Sequence, residues 1–240
     1  MKKVLLLLMI LIIPIFTFAA EYQIDDINLK LNIDDDVIVF TRDNLDNNED
    51  LAGLSLTKEQ MLQILKNGNI YLDLVEKNLS WEFLVIVPDN SLSVNNLANL
   101  PDKLVRETGE SLKTKFNAKD FKIYTTDKLK FVAVNYYDEK TKYYITNYYT
   151  VVNGHGYNFQ MQKREEITDD EESFIKRIVD SADIEIMKGY EKESDEVQKQ
   201  IDGYNHPFNW KAIITDGIIG GVVGGVAALV ALIVKKKKNN

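Results

Sequence analysis

The side chains that most often carry out chemistry are scarce in this chain. Its 240 residues contain two histidines, His155 and His206, and no cysteine. His155 lies in Asn153-Gly-His-Gly156 and reads as a turn residue. His206 lies in Asn205-His206-Pro207 and reads as a polar residue of a connecting stretch. Neither is spaced with a partner as a general base or metal ligand would be. No Gly-x-Ser-x-Gly, His-Glu-x-x-His or Walker loop occurs. Without cysteine there is no disulfide framework, Cys-zinc site, Cys nucleophile or lipobox. Carboxylates are plentiful, and Asp34, Asp35, Asp36, Asp43, Asp46, Glu49 and Asp50 cluster around one apolar run. Such a group could hold Ca²⁺ outside a cell, but it lacks the EF-hand glycine and glutamate positions, so solvated loops are the plainer reading. Paired carboxylates could also serve glycoside hydrolysis, yet in so acidic a chain pairs arise without purpose. No catalytic residue, cofactor or metal site is therefore assigned.

Tyrosine gives the one candidate contact surface. Seven of the twelve tyrosines lie between Tyr136 and Tyr157, in the pairs 136–137, 143–144 and 148–149 and at Tyr157 itself. Adjacent strand residues point to opposite faces, so each pair sends one ring inward and one outward. Tyr136, Tyr143 and Tyr148 are taken as the outward members, available to a protein or glycan partner. Ordinary sheet packing is the competing reading, because tyrosine favours strands. Asn78-Leu79-Ser80 is a glycosylation sequon.

Charge then separates the chain into parts. The formal net charge is −8, with 29 Lys+Arg and 37 Asp+Glu. Residues 21–212 alone hold 36 acids and 23 bases, or −13. An acidic body argues against nucleic acid as a partner, since phosphates need a basic face. Residues 1–20 run Met1-Lys2-Lys3, then an uncharged apolar stretch, then Ala19-Ala20, the pattern of a secretory signal peptide cleaved after Ala19 or Ala20. Residues 213–234 read as one membrane-spanning helix. From Gly217 to Val234 every residue is Gly, Ala, Val, Ile or Leu, and about 1.5 Å per residue brings the run close to the hydrocarbon thickness. Lys235, Lys236, Lys237 and Lys238 open a short tail, 235–240, and set it in the cytoplasm, with Trp210 at the outer interface. Gly217, Gly221 and Gly225 repeat every fourth residue, as do Gly220, Gly224 and Ala228. That spacing forms a face for packing against a second copy or a partner helix.

The elements between these ends must position any site. Ile27–Ile33 and Val37–Thr41 read as strands around an Asp34–Asp36 turn, followed by an acidic loop over 43–50. Thr57-Lys-Glu-Gln60 caps a short helix that Gly68 ends. Strands follow at 70–74 and 81–87, then a helix from Pro101 to about Phe116. Four strands come next, at 121–124, 129–137, 143–152 and 157–162, with Asn153-Gly154 as a hairpin turn. Thr168-Asp-Asp-Glu171 caps a last helix. The order predicts an α+β domain over 21–186, with an antiparallel β-sheet flanked by helices. Residues 187–212 read as a charged, solvated stalk.

Ile27-Asn-Leu-Lys-Leu-Asn-Ile33 with Val37-Ile-Val-Phe-Thr-Arg42 resembles the first hairpin of the PsbP-like superfamily, which are α-β-α sandwiches. Tyr157-Asn-Phe-Gln-Met161 and Phe174-Ile-Lys-Arg-Ile-Val-Asp-Ser181 resemble its last strand and helix. The resemblance covers about residues 22–186. It implies an interaction or accessory domain and transfers no functional residue, because members do unrelated things. The combined expectation is a non-enzymatic, single-pass extracytoplasmic interaction domain in the cell membrane. The alternative is an extracytoplasmic small-ligand, glycan or Ca-binding protein, or a hydrolase using clustered carboxylates.

Overall fold

The computed structural model describes residues 20–34 and 36–203. The segments read above as an export signal up to Ala19 and as a membrane helix, with Trp210, the glycine rows and Lys235–Lys238, lie outside the described residues. Among the described residues no helix is long and apolar enough to cross a membrane. The described chain is α+β, with antiparallel sheets flanked by helices.

Strand β1 (Ala20–Ile24) pairs antiparallel with β2 (Leu29–Ile33), and Asn28 between them takes the left-handed conformation at φ 50°. In β2, buried Leu29, Leu31 and Ile33 alternate with exposed Lys30 and Asn32, as a half-buried strand requires. The next strand, β3 (Val37–Thr41), does not pair with β2. The expected first hairpin is therefore a crossing between two sheets. β2 lies at the centre of a three-stranded sheet, between β1 and a two-residue strand, Asp183–Ile184, while β3 is the edge of a seven-stranded sheet. The two strands still share a core: Leu29, Leu31 and Ile33 enter one cluster, against which Val37 and Val39 of β3 pack, while Phe40 turns to the opposite face.

Two helices follow β3. The expected acidic loop ends in helix α1 (Glu49–Leu54), where Asn48 Oδ1 accepts from Asp50 N and Leu51 and Leu54 turn inward. Helix α2 (Lys58–Asn67) carries the expected capping box, with Thr57 and Gln60 exchanging hydrogen bonds. Then come β4 (Ile70–Glu76), β5 (Trp81–Ile86), α3 (Asp102–Phe116), β6 (Phe121–Thr125), β7 (Lys130–Asp138), β8 (Tyr143–Val152), β9 (His155–Lys163) and α4 (Asp169–Ser181). β10 is the Asp183–Ile184 strand, and α5 is Asp195–Asp202. Spatial order in the large sheet is β3-β4-β5-β9-β8-β7-β6, antiparallel throughout. The β8–β9 turn is tight because Asn153 and Gly154 both take positive φ, at 53° and 73°.

The large sheet is covered on both faces. One face joins Leu72, Phe83, Phe131 and Phe159 to β2 and to Ile175 and Ile178 of α4 in a single cluster. The other face holds two clusters. Leu104, Val105 and Leu112 of α3 cover Val132, Val134 and Tyr149, while α1 and α2 cover Phe40, Leu84 and Ile86.

The stalk expected from residue 187 onward is, over 187–203, a packed part of the domain. The Glu193 carboxylate accepts hydrogen bonds from Asn95 N at 2.8 Å and Asn96 N at 2.9 Å. Asn95 Nδ2 donates to Lys192 O, and Asn96 Nδ2 donates to Tyr190 O. Ser194 caps α5, and Val197 is buried in the cluster beneath α3 with Ile201 packed beside it. Val197 and Ile201 are the i, i+4 apolar pair in an otherwise charged segment.

Candidate functional site

The tyrosine hairpin has a fixed register: Tyr137 lies opposite Tyr144, Tyr136 opposite Ile145, and Tyr149 opposite Val132. Tyr143 and Tyr148 are buried, at 3% and 5% exposure, so two of the three rings expected outside are inside. Tyr136 is half-buried and stacks on Phe116 with centroids 4.5 Å apart. The reason is that both faces of β8 are covered there. Tyr148 packs edge-on against Phe131 and Tyr124 on one side, and Tyr149 lies under α3 on the other. Burial pushes the Tyr148 hydroxyl up to about 12, and it raises Tyr136 and Tyr149 as well.

The more accessible rings are the other members of two pairs, Tyr137 exposed and Tyr144 half-buried. Tyr137 is 38% exposed, and its ring meets that of Tyr144 at 4.9 Å and 49°. They stand at the end of β7 and β8, beside a groove of about 370 Å³ that Tyr136, Asn117, Lys119, Thr146 and Glu166 also line. Aromatic surface, an amide, a hydroxyl and charges of both signs meet in this groove. That composition suits contact with a protein or a small polar ligand. The sequence supplied the pairs. It did not supply which ring of each pair the helices would cover.

A second feature was not anticipated. On the two-cluster face, β9 carries Asn158, Gln160 and Gln162, all buried. Gln160 Nε2 donates to Gln162 Oε1 at 3.1 Å, and Gln162 Nε2 donates to Glu82 Oε2 at 2.6 Å. Asn147 stands opposite Gln160, and its Nδ2 donates to Tyr149 OH at 2.6 Å and to Tyr136 OH at 3.3 Å. The file of polar groups thus separates the two apolar clusters and ends at a ring of the groove.

Its other end is an acid pair. Asp73 of β4 pairs with Leu84 and Glu82 of β5 with Val75, so the carboxyls are diagonal neighbours on one face. Both are buried, and neither carboxylate oxygen of Asp73 has a hydrogen-bond partner, while Glu82 is held through Oε2 by Gln162. Burial, and then the Glu82 charge, raise Asp73 well above the usual carboxylate range. Burial brings Glu82 to about 7. Carboxyls so enclosed are costly to ionise together, which makes the pair a source of pH-dependent stability. The sequence signal was an acid within each of two apolar strands, Ile70–Glu76 and Trp81–Ile86.

The acids around β3 do not converge. Asp34 pairs with Arg177 at 2.9 Å, Asp36 with Lys77 at 3.6 Å, and Asp46 with Lys58. Among the described residues no group of three or more His, Asp or Glu is arranged to hold a metal ion. His155, expected in the turn, is instead the first residue of β9, paired with Val152 across the hairpin and bridged to Ser91. Asn78 occupies the β4–β5 turn, where its Oδ1 accepts from Ser80 N.

No protein-family model and no curated protein matches the sequence. Among solved structures, the chain is similar to the solution structure of cyanobacterial PsbP (CyanoP) from Synechocystis, at 10% identity and a TM-score of 0.42, covering 71% of this chain and 94% of that one. It is also similar to a crystal structure from Bacteroides thetaiotaomicron, at 7% identity and a TM-score of 0.40, covering 72% of this chain and spanning 50% of that one. Neither likeness is close enough to bear on function.

Proposed function

We propose that this chain is a membrane-anchored extracytoplasmic interaction domain that meets its partner at the Tyr137–Tyr144 groove. The carrying observation is the contact between exposed Tyr137 and half-buried Tyr144 at the end of the sheet, beside the groove. Rigid aromatic surface costs little side-chain entropy on binding, which is why it concentrates at contact sites. The anchoring half of the reading rests on sequence: the apolar run Gly217–Val234 before four lysines, and the export signal at the start. The glycine rows add packing in the bilayer against a second copy or a partner helix. Membership in the PsbP-like superfamily belongs to the same reading and rests on the residue patterns of 27–42 and 157–181.

The test is site-specific photo-crosslinking of the full chain in native membranes, with the photoreactive residue at position 137. One defined protein adduct is expected, and Tyr144→Ala should weaken it several-fold. Absence of any adduct at 137 would sink the contact reading. The groove's volume also favours a second reading, a small-ligand or glycan site. A rise in melting temperature on adding a glycan panel, lost in Tyr137→Ala, would select it.

A further inference from the structure

We infer that the outer edge of β3 is a self-association surface that the Asn44 side chain holds shut. This edge lies on the opposite side of the large sheet from the tyrosine strands β7 and β8. An edge strand offers a row of backbone N–H and C=O groups to any strand that can lie beside it. Among the described residues the sheets end at β1, β10, β3 and β6. β6 carries exposed Lys122, β1 carries exposed Glu21, and β10 is two residues long. Charge and brevity are the usual guards of an edge. β3 has neither, since Val37-Ile-Val-Phe-Thr41 is uncharged and rich in residues that favour strands. Its guard is one side chain from the loop that follows. Asn44 Nδ2 donates to Val39 O at 2.8 Å, and Thr41 N donates to Asn44 Oδ1 at 2.7 Å. β4 pairs along the inner side of β3, so these two backbone groups belong to its outer side. One carboxamide thus takes an acceptor and a donor two residues apart, as the backbone of a neighbouring strand would. Asn44 is held in turn, its N donating to Thr41 Oγ1 and its O accepting from Asn48 Nδ2, both at 3.2 Å.

The occupant that matches this edge is β3 of a second copy. An antiparallel two-fold centred on Val39 sets Val39 opposite Val39, Ile38 opposite Phe40 and Val37 opposite Thr41 of the second copy. The same register sets Asp36 opposite Arg42 of the second copy, so unlike charges face each other at both ends of the pairing. No like charges meet, and the apolar residues stay on the faces they already occupy. A hydrogen-bonded antiparallel pair at Val39 exchanges both backbone bonds there, and it therefore needs Val39 O, the atom that Asn44 takes. A docked Asn44 and a paired second copy exclude each other. Loss of the carboxamide leaves an uncharged, self-complementary edge.

The chain has no cysteine, so Val39→Cys and Lys140→Cys each introduce a single thiol. Opposed residues of a hydrogen-bonded antiparallel pair have Cα atoms about 5.5 Å apart, within disulfide reach. Lys140, exposed in the β7–β8 turn, reports random collision. Each full-length chain is oxidised in detergent, with Asn44 intact and with Asn44→Ala. The expected result is a disulfide-linked dimer that forms through position 39 at least about ten-fold faster once the two competing hydrogen bonds are gone, with no change at 140. Equal rates at 39 with and without Asn44 overturn the proposal. A rise at 140 as large as that at 39 overturns it too, because it marks loosened chains that stick without register. Pairing through the glycine rows would proceed whatever residue stands at 44, so it cannot produce the expected difference. If Asn44→Ala fails to fold, Asn44→Asp decides. It keeps the acceptor for Thr41 N and removes the donor to Val39 O, and it should speed the 39–39 disulfide by about three-fold or more. No rise at 39 in that variant overturns the proposal.

Discussion

The two faces of the seven-stranded sheet are built on opposite plans, and β9 contributes to both. Toward β2 and α4 it presents Tyr157, Phe159 and Met161, which join one apolar cluster. Toward α1, α2 and α3 it presents Asn158, Gln160 and Gln162, which divide the apolar side chains into two. The first face gathers its apolar side chains into one continuous cluster. The second adds polar groups whose hydrogen bonds depend on register. A one-residue slip of β9 would drive its amides into the apolar cluster and its rings into the polar file. The acid pair lies on the polar face, and it makes the stability of that face respond to pH.

The largest effect should come from the apolar face. Phe159→Ala should cost about 4 kcal/mol, read as a lower urea midpoint with unchanged slope. A cost below about 1 kcal/mol would mean that this face is not the dominant core. Next is the acid pair. The folded carboxyls titrate above their unfolded values, so the folded chain holds protons that the unfolded chain releases. The pair's contribution to stability should therefore be complete below the unfolded carboxyl values and be lost as pH rises through the folded ones, about 7 for Glu82. Glu82→Gln keeps an acceptor for Gln162 and removes the charge. It should raise stability at pH 8 by on the order of 2 kcal/mol and change little at pH 4. A flat difference between pH 4 and pH 8 would remove the pair from this role.

Smaller still is Tyr149→Phe, which removes the hydroxyl that accepts from Asn147. It should cost about 1 kcal/mol, measured by denaturation at neutral pH. The smallest effect on folding should be that of Tyr137→Ala, within about 0.5 kcal/mol, because the ring is exposed at the sheet's end. That variant sharpens the contrast, since its loss should appear in crosslinking and not in melting.

Local chemistry was legible where a few neighbouring residues decide the outcome. Thr57 with Gln60 and Thr168 with Glu171 form the capping boxes that their spacing announces. Asn153-Gly154 makes the turn because both residues accept positive φ. Pairing across distance was not legible. Leu29, Leu31 and Ile33 alternate like any half-buried strand, and nothing local says that β2 leaves β3 for the smaller sheet. Val197 and Ile201 are two apolar residues in a charged run, too few to signal a docked helix without knowing that Asn95 and Asn96 wait for Glu193.

The sequence by itself determined the α+β class, the starts of α2, α3 and α4, the hairpin turn and the acidic charge, because propensity, capping and composition are local properties. Only the tertiary structure decided which tyrosines face solvent, that Asp73 and Glu82 meet, and that residues 187–203 close onto the domain. Burial and partnership depend on which distant segments cover a side chain, and no spacing along one strand encodes that.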